Sequence, residues 1–161
     1  MKFYQKKHAK VSQFAEIREC PTTGSKSLHA TVNLMPGQVI SRFGAKEIRN
    51  QPSYLTVQIH RDRHIMLDPE WLQYINHSCN PNVVFNTSKQ DVIAVRPLEK
   101  GEEITFFYPS TEWLMDRAFD CLCNSDNCLG TIQGAAHLPL EILTNYQLSD
   151  YIQQELDRKA K

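Results

Sequence analysis

Apolar and polar residues alternate in short bursts through the first two-thirds of the chain. Leu55, Val57 and Ile59 alternate with Thr56, Gln58 and His60, and Ile65 and Leu67 repeat the period after the charged turn Arg61-Asp62-Arg63. Side chains on a strand point to opposite faces in turn, so this period predicts half-buried strands. Val83-Val84-Phe85 and Val92-Ile93-Ala94-Val95 flank a polar stretch, Asn86 to Asp91, that reads as a hairpin. Pro36-Gly37 and Lys100-Gly101 are turn punctuation, each ahead of a strand-like run (Val39-Ile40 and Ile104-Thr105-Phe106-Phe107). Many short strands at close spacing predict a mostly β fold of small sheets, not a Rossmann layout. The C-terminal end changes character. Leu140, Leu143, Leu148, Ile152 and Leu156 sit among polar residues there, and Ser149 is placed to cap a helix of about ten residues that closes the domain.

At 161 residues the chain is one domain of ordinary size. Such a length buries enough surface that a metal site is expected to order one region without holding up the whole core. Eighteen basic and eighteen acidic residues cancel, so the chain lacks the basic field of a stand-alone nucleic-acid binder. The stretch Met1 to Lys10 is basic but no apolar run follows it, so it does not read as a signal peptide. No segment approaches the roughly 20 apolar residues of a membrane span. Five cysteines, an odd number, point to a reducing, intracellular setting, cytoplasmic or nuclear, and to metal ligation over disulfides.

Cys121, Cys123 and Cys128 form a C-x-C-x4-C cluster followed by Leu129-Gly130, and Cys79 lies in Asn76-His77-Ser78-Cys79-Asn80-Pro81-Asn82. Structural zinc is usually closed by four thiolate or imidazole ligands in a tetrahedron. Three ligands in one short segment need a distant fourth, and Cys79 is the candidate. The plain alternative is a set of buried thiols. Cys20 is left over and reads as a small buried hydrophobe.

The motif at 76–82, then Gly101-Glu102-Glu103-Ile104-Thr105-Phe106-Phe107-Tyr108, then the cysteine cluster, resembles the SET-domain protein lysine methyltransferases. The order and spacing of the three motifs carry the resemblance, which runs from Ile17 to Ala135, about three-quarters of the chain. It implies small curved sheets around a knot-like crossing, with the Asn76 segment threaded beside the Tyr108 segment. It also implies a core over residues 1–118, a zinc-binding segment at 119–135 and a helical extension at 136–161. Asn76 and His77 would bind S-adenosylmethionine, and Tyr108 would orient the lysine amine at the reacting centre. Cys79, Cys121, Cys123 and Cys128 would hold one structural zinc that folds the post-catalytic segment over the cofactor. Phe106 would line the lysine channel and leave room for products beyond monomethyl-lysine. Methyl transfer to an amine is an in-line displacement, so alignment is the main contribution once the amine, with a pKa of about 10.4 when free, has lost its proton. A tyrosine hydroxyl and backbone carbonyls suit that task because they hold a neutral amine without a tight carboxylate partner.

The chain departs from the family in three places. The cofactor loop, usually Gly-x-Gly, is Ser25-Lys26-Ser27, with Gly24 just upstream, so serines stand where a positive φ is usually available. Gln73 stands where an arginine is often found, and Phe107 where an acidic residue usually precedes the tyrosine. The pair Phe106-Phe107 suggests a drier channel. Tyr54 is a candidate for the channel wall. Trp113 either covers the adenine or packs under the zinc lobe. Glu102 and Glu103 read as a solvated turn, and His60 and His64 as loop residues. The resemblance implies a protein lysine as substrate, with a histone no more favoured than another protein and with recruitment through the domain's own surface or a partner. Two other classes stay open. One is a non-catalytic interaction module, motivated by the serine loop, and the other an enzyme acting on a small molecule, motivated by the short chain and the phenylalanine pair.

Overall fold

The computed structural model describes residues 7–161, so most of the basic N-terminal stretch lies outside the described residues. The strands in chain order are β1 (His8–Lys10), β2 (Ala15–Glu19), β3 (Lys26–Ala30), β4 (Val39–Arg42) and β5 (Gly44–Arg49). They continue with β6 (Thr56–His60), β7 (Arg63–Asp68), β8 (Asn76–His77), β9 (Val83–Asn86) and β10 (Asp91–Ala94). Three pairs of residues complete the set: β11 (Thr105–Phe106), β12 (Phe119–Asp120) and β13 (Thr131–Ile132). A short helix, α1 (Leu140–Leu143), precedes the terminal helix α2 (Asp150–Lys159).

These strands form small separate sheets. The three-stranded ones run β1-β2-β3, β4-β10-β9 and β5-β7-β6, and the two-stranded ones pair β11 with β8 and β12 with β13. The predicted hairpin is present, with Val83 opposite Ala94 and Phe85 opposite Val92. The period-2 reading of residues 55–60 needs amending. Thr56, Val57 and Gln58 are all buried, because the segment after Tyr108 covers the face that alternation assigns to water. Leu55 and Tyr54 precede the strand in a turn closed by the Thr56 N–H on the Ser53 carbonyl. His64, expected in a loop, is a buried residue of β7 paired with Arg49 and Gln58. Cys20 is not the buried hydrophobe expected. It is half-buried beside the Thr22 hydroxyl, and hydrogen bonds from Thr22 and Thr23 bring its thiol down to about 6.

The β8–β11 pair is parallel, with Thr105 opposite Asn76 and Phe106 opposite His77. Asn82, 1% exposed, locks the loop between β8 and β9 against β11. Its Oδ1 accepts the Thr105 N–H at 2.8 Å, and its Nδ2 donates to the Glu103 carbonyl at 2.8 Å. The two threading segments of the resemblance therefore lie side by side, in the small-sheet β fold that the sequence predicts.

Strand alternation at β11 then divides the core. Phe106 joins the main cluster with Phe85, Leu28, Ile65 and Ile104. Phe107 turns the other way, into a second cluster with Ala135, Leu143, Tyr151 and Ile152. There its ring stacks on Tyr146 at 3.6 Å and 7°. Burying each such apolar side chain is worth about 1.5–3 kcal/mol. The helix α2 begins as predicted, the Ser149 hydroxyl accepting the Ile152 N–H. Its start is tied to the Tyr108 turn by the Ser149 N–H on the Ser110 carbonyl at 2.8 Å. No helix among the described residues is long and apolar enough to cross a membrane.

Candidate active site

A cavity of about 1070 Å³ runs between the main core and the segment 115–123. Its walls include Ser25, Lys26, Tyr54, Asn76, His77, Phe106 and Tyr108, so most of the residues singled out by sequence converge on one space. That volume matches the upper end of ligand sites, roughly 300–1,000 Å³, and leaves room for a cofactor together with a long side chain.

Tyr108 opens a 3-10 turn, and its hydroxyl donates to the Ile75 carbonyl at 3.3 Å. Its ring packs against Phe106 at 4.8 Å and His77 at 5.3 Å. Burial, and then the charges of Glu112 and Glu103, hold the phenol well above its ordinary range, so it is a neutral donor. Phe106 is 6% exposed and lies between Phe85 and Tyr108. Phe107 faces the second cluster and leaves Phe106 as the pair's contribution to the channel, which corrects the expectation that both rings dry it.

Asn76 and His77 are held by side-chain contacts. The Asn76 amide donates to Glu103 Oε1 at 3.0 Å and to the Lys26 carbonyl at 3.3 Å, joining β8 to the Ser25–Lys26 loop. Glu103 lines the cavity and so departs from the solvated turn expected, while Glu102 stays in the turn, half-exposed, bonded to Glu99 and paired with Arg96 at 2.8 Å. His77 Nδ1 accepts the Tyr108 N–H at 3.1 Å. The proton then sits on Nε2, 3.4 Å from Cys79 Sγ. Burial takes this imidazole down to about 4, so it is neutral. The resemblance gives His77 to the cofactor largely through its backbone, and the residue lines the cavity while its ring bridges the tyrosine backbone and a cysteine.

Three other candidates fall differently. Tyr54 stands at the rim, 83% exposed. Ser27 lies on β3 with its hydroxyl on the Arg18 carbonyl and against His29, outside the cavity wall. Trp113 also lies outside the wall and packs against the second cluster, with Lys159 over its ring at 6.0 Å. The serine loop carries no strain. Gly24 supplies the positive φ, +71°, and neither Ser25 nor Ser27 has one.

The Sγ atoms of Cys79, Cys121, Cys123 and Cys128 lie within 4.8 Å of one another. Tetrahedral Zn–S bonds of about 2.3 Å put sulfurs about 3.8 Å apart, and Cys79 and Cys121 stand at 3.9 Å. The donor set fits one zinc ion. Burial raises the Cys79 thiol to about 12. Burial also raises Cys123, but hydrogen bonds from Ser125 outweigh it and bring that thiol to about 6. A thiol as buried as Cys79 ionises at neutral pH only beside a cation, which is what ligation supplies. Cys79 is further braced by the Leu129 N–H on its sulfur, and by the Tyr146 hydroxyl and Asn127 amide on its carbonyl. Residues 119–123 of this lobe are also cavity wall.

Sequence reading missed Glu112. It borders the cavity at 6% exposure, and its Oε2 accepts the Gln58 N–H at 3.0 Å and the Thr111 hydroxyl at 2.6 Å. Gln58 returns the bond, its Oε1 accepting the Trp113 N–H at 2.9 Å. The signal available was an acidic residue shortly after the tyrosine, in a stretch that otherwise reads as loop.

The family model for the SET domain matches residues 6–109. The chain belongs to the SET-domain family. It is similar to the methyltransferase flvH of Aspergillus flavus, 36% identical over 140 residues, which span 86% of this chain and 78% of that protein. It is 32% identical over 136 residues to the H3 lysine-36 specific histone-lysine N-methyltransferase of Mycosarcoma maydis, covering 67% of this chain and 14% of that protein. The H3 lysine-4 specific enzyme of Emericella nidulans is 29% identical over 126 residues, 64% of this chain and 10% of that one. The chain thus spans a small part of these two longer proteins. A solved structure of KRYPTONITE in complex with mCHG DNA and SAH superposes with a TM-score of 0.53 at 15% identity, over 66% of this chain and 26% of that one. It shares the fold.

Proposed function

We propose that the protein transfers methyl groups from S-adenosylmethionine to the amine of a protein lysine side chain. When bound, that cofactor supplies a methyl group on a positively charged sulfur. Ser25, Lys26, Asn76 and His77 would hold it against the wall formed by residues 119–123, with zinc on the four cysteines fixing that wall. The observation that carries the reading is Tyr108. Its neutral, half-buried hydroxyl and the Ile75 carbonyl meet in the cavity wall, beside Phe106. A hydroxyl and a carbonyl hold a neutral amine in one direction, and that alignment is what in-line transfer requires.

A second reading has its own support. The relative of similar length, flvH, is named only as a methyltransferase, and a cavity of 1070 Å³ accommodates a small aliphatic amine as readily as a lysine side chain. One assay separates these readings. The protein is incubated with tritiated S-adenosylmethionine and whole-cell lysate, and label is followed into protein and into small molecules. Label confined to small amines would replace the protein substrate. No label, with no cofactor binding at millimolar concentration, would leave a non-catalytic SET module.

A further inference from the structure

A carboxyl is among the costlier groups to bury, and a buried one is normally paired with a cation. Glu112 is 6% exposed, and none of the ion pairs among the described residues includes it. Its two oxygens differ. Oε2 is saturated by the Gln58 N–H and the Thr111 hydroxyl. Oε1 makes no hydrogen bond among the described residues, yet it is not sealed inside, and the residue forms part of the cavity wall. An amide would make the same clamp to Gln58 and Thr111 without the cost of a charge. What a carboxylate adds is an open acceptor for a cation in the cavity wall, close enough to Tyr108 for its charge to act on the phenol.

The substrate amine arrives as that cation, because an alkylammonium has a pKa of about 10.4 and must lose a proton before its nitrogen can attack. We propose that Glu112 is a catalytic base of this site, its Oε1 receiving the substrate ammonium and taking the proton. This rests on the amine-methylation reading above. The N–H bond breaks and an O–H bond forms, giving neutral amine and neutral Glu112. The freed lone pair then forms the C–N bond with the methyl of the sulfonium donor, whose C–S electrons remain on sulfur. The product leaves as an alkylammonium, and Glu112 returns its proton to water.

The surroundings suit the role. Burial lifts Glu112 to about 7, so it is partly ionised at neutral pH and binds the proton reversibly. The phenol of Tyr108 feels its charge and stays neutral. On β6 the facing residue is Gln58, uncharged, while His60 turns outward to Tyr151. From residues 135 and 136 come only backbone N–H groups, on the carbonyls of Glu112 and Trp113. The other walls of the cavity bring Lys26, Glu103, Asp116, Arg117, Asp120 and the neutral His77.

The test is Glu112→Gln, which keeps the shape and both accepted bonds, assayed from pH 6 to 10 with poly-L-lysine and n-butylamine as amine probes. Wild type should show kcat/KM rising to a plateau above pH about 7. The variant should melt no lower than wild type and should keep its affinity for S-adenosylhomocysteine. At pH 7 it should lose at least about 100-fold in kcat/KM, and it should recover tenfold per pH unit as the ammonium loses its proton unaided. Parallel profiles for the two proteins would overturn the base while leaving methylation intact. The wild-type profile decides even if the variant does not fold, since unit slope continuing to pH 10 also overturns it. Calorimetry with n-butylamine at pH 8 needs no turnover. Binding weakened tenfold or more by Glu112→Gln would support the cation-receiving carboxylate even in a protein that transfers no methyl group, and equal binding would count against it.

Discussion

The ring of Tyr108 packs and its hydroxyl points into the cavity, so the two can be separated. Tyr108→Phe should keep the fold within about 1 kcal/mol, the worth of one hydrogen bond, while kcat falls far more than cofactor affinity. Full activity in that variant would make the phenol structural. Phe106 stands 4.8 Å from the Tyr108 ring. Phe106→Tyr should narrow the channel and shift products toward monomethyl-lysine at a similar first-step rate, as read by mass spectrometry. Wild type that stops at one methyl would remove Phe106 from this role. Glu112 makes a separate prediction about stability. Burial raises its pKa from 4.5 to about 7, so between these values the folded protein holds a proton that the unfolded chain has released. Stability therefore falls as pH rises across that window. In chemical denaturation the gap between Glu112→Gln and wild type should widen in the variant's favour from pH 4.5 and level off above about 7. A constant gap would mean an ordinary carboxyl. Tyr108 was legible in the sequence because a string of neighbours marks it. Glu112 was not, since nothing in Pro109-Ser110-Thr111-Glu112-Trp113 says which side chain turns inward. That is decided by Gln58, a strand away.

Elements were legible where one face pattern or one cap sufficed. The β9–β10 hairpin followed from two apolar runs around a polar turn, and α2 followed from Ser149. Ser149→Ala should cost about 1 kcal/mol through the lost cap. The edge strand β5 was missed because it is almost entirely exposed and carries Lys46, Glu47 and Arg49, charges that suit a sheet edge but hide a strand. The turn at Gly134 was also invisible. Its φ is +112°, and a Cβ there would lie 2.5 Å from the Trp113 carbonyl oxygen. Gly134→Ala should therefore destabilise by about 3 kcal/mol or more, combining backbone strain and overpacking, and loosen the 112–136 contact. A melting temperature unchanged by this substitution would contradict the close approach. The cysteine lobe was legible as a donor set, while its brace, Tyr146 on the Cys79 carbonyl, came from the far end of the chain.

Across the molecule, the main core uses none of the four cysteines, so metal loss and global unfolding should separate. Purified protein should contain one zinc, and Cys79→Ser or Cys123→Ser should release it. Exchange protection should then collapse around residues 119–135 while β6, β7, β9 and β10 hold. Protein with four reduced cysteines and no metal would sink the zinc assignment. The same lobe is also cavity wall, and His77 touches both the Cys79 sulfur and the Tyr108 backbone. Coupling between two binding events is reciprocal. A ligand that fills the cavity and packs on this wall should tighten the hold on the ion that pins it, and the ion should tighten the hold on the ligand by the same factor. The rate at which a chelating dye strips the metal is then a clock for cavity occupancy, running slower with S-adenosylhomocysteine present, and it works before any substrate is known. By the same linkage a cell short of metal holds fewer copies able to take up the methyl donor, so two supplies, one mineral and one metabolic, set its working fraction together.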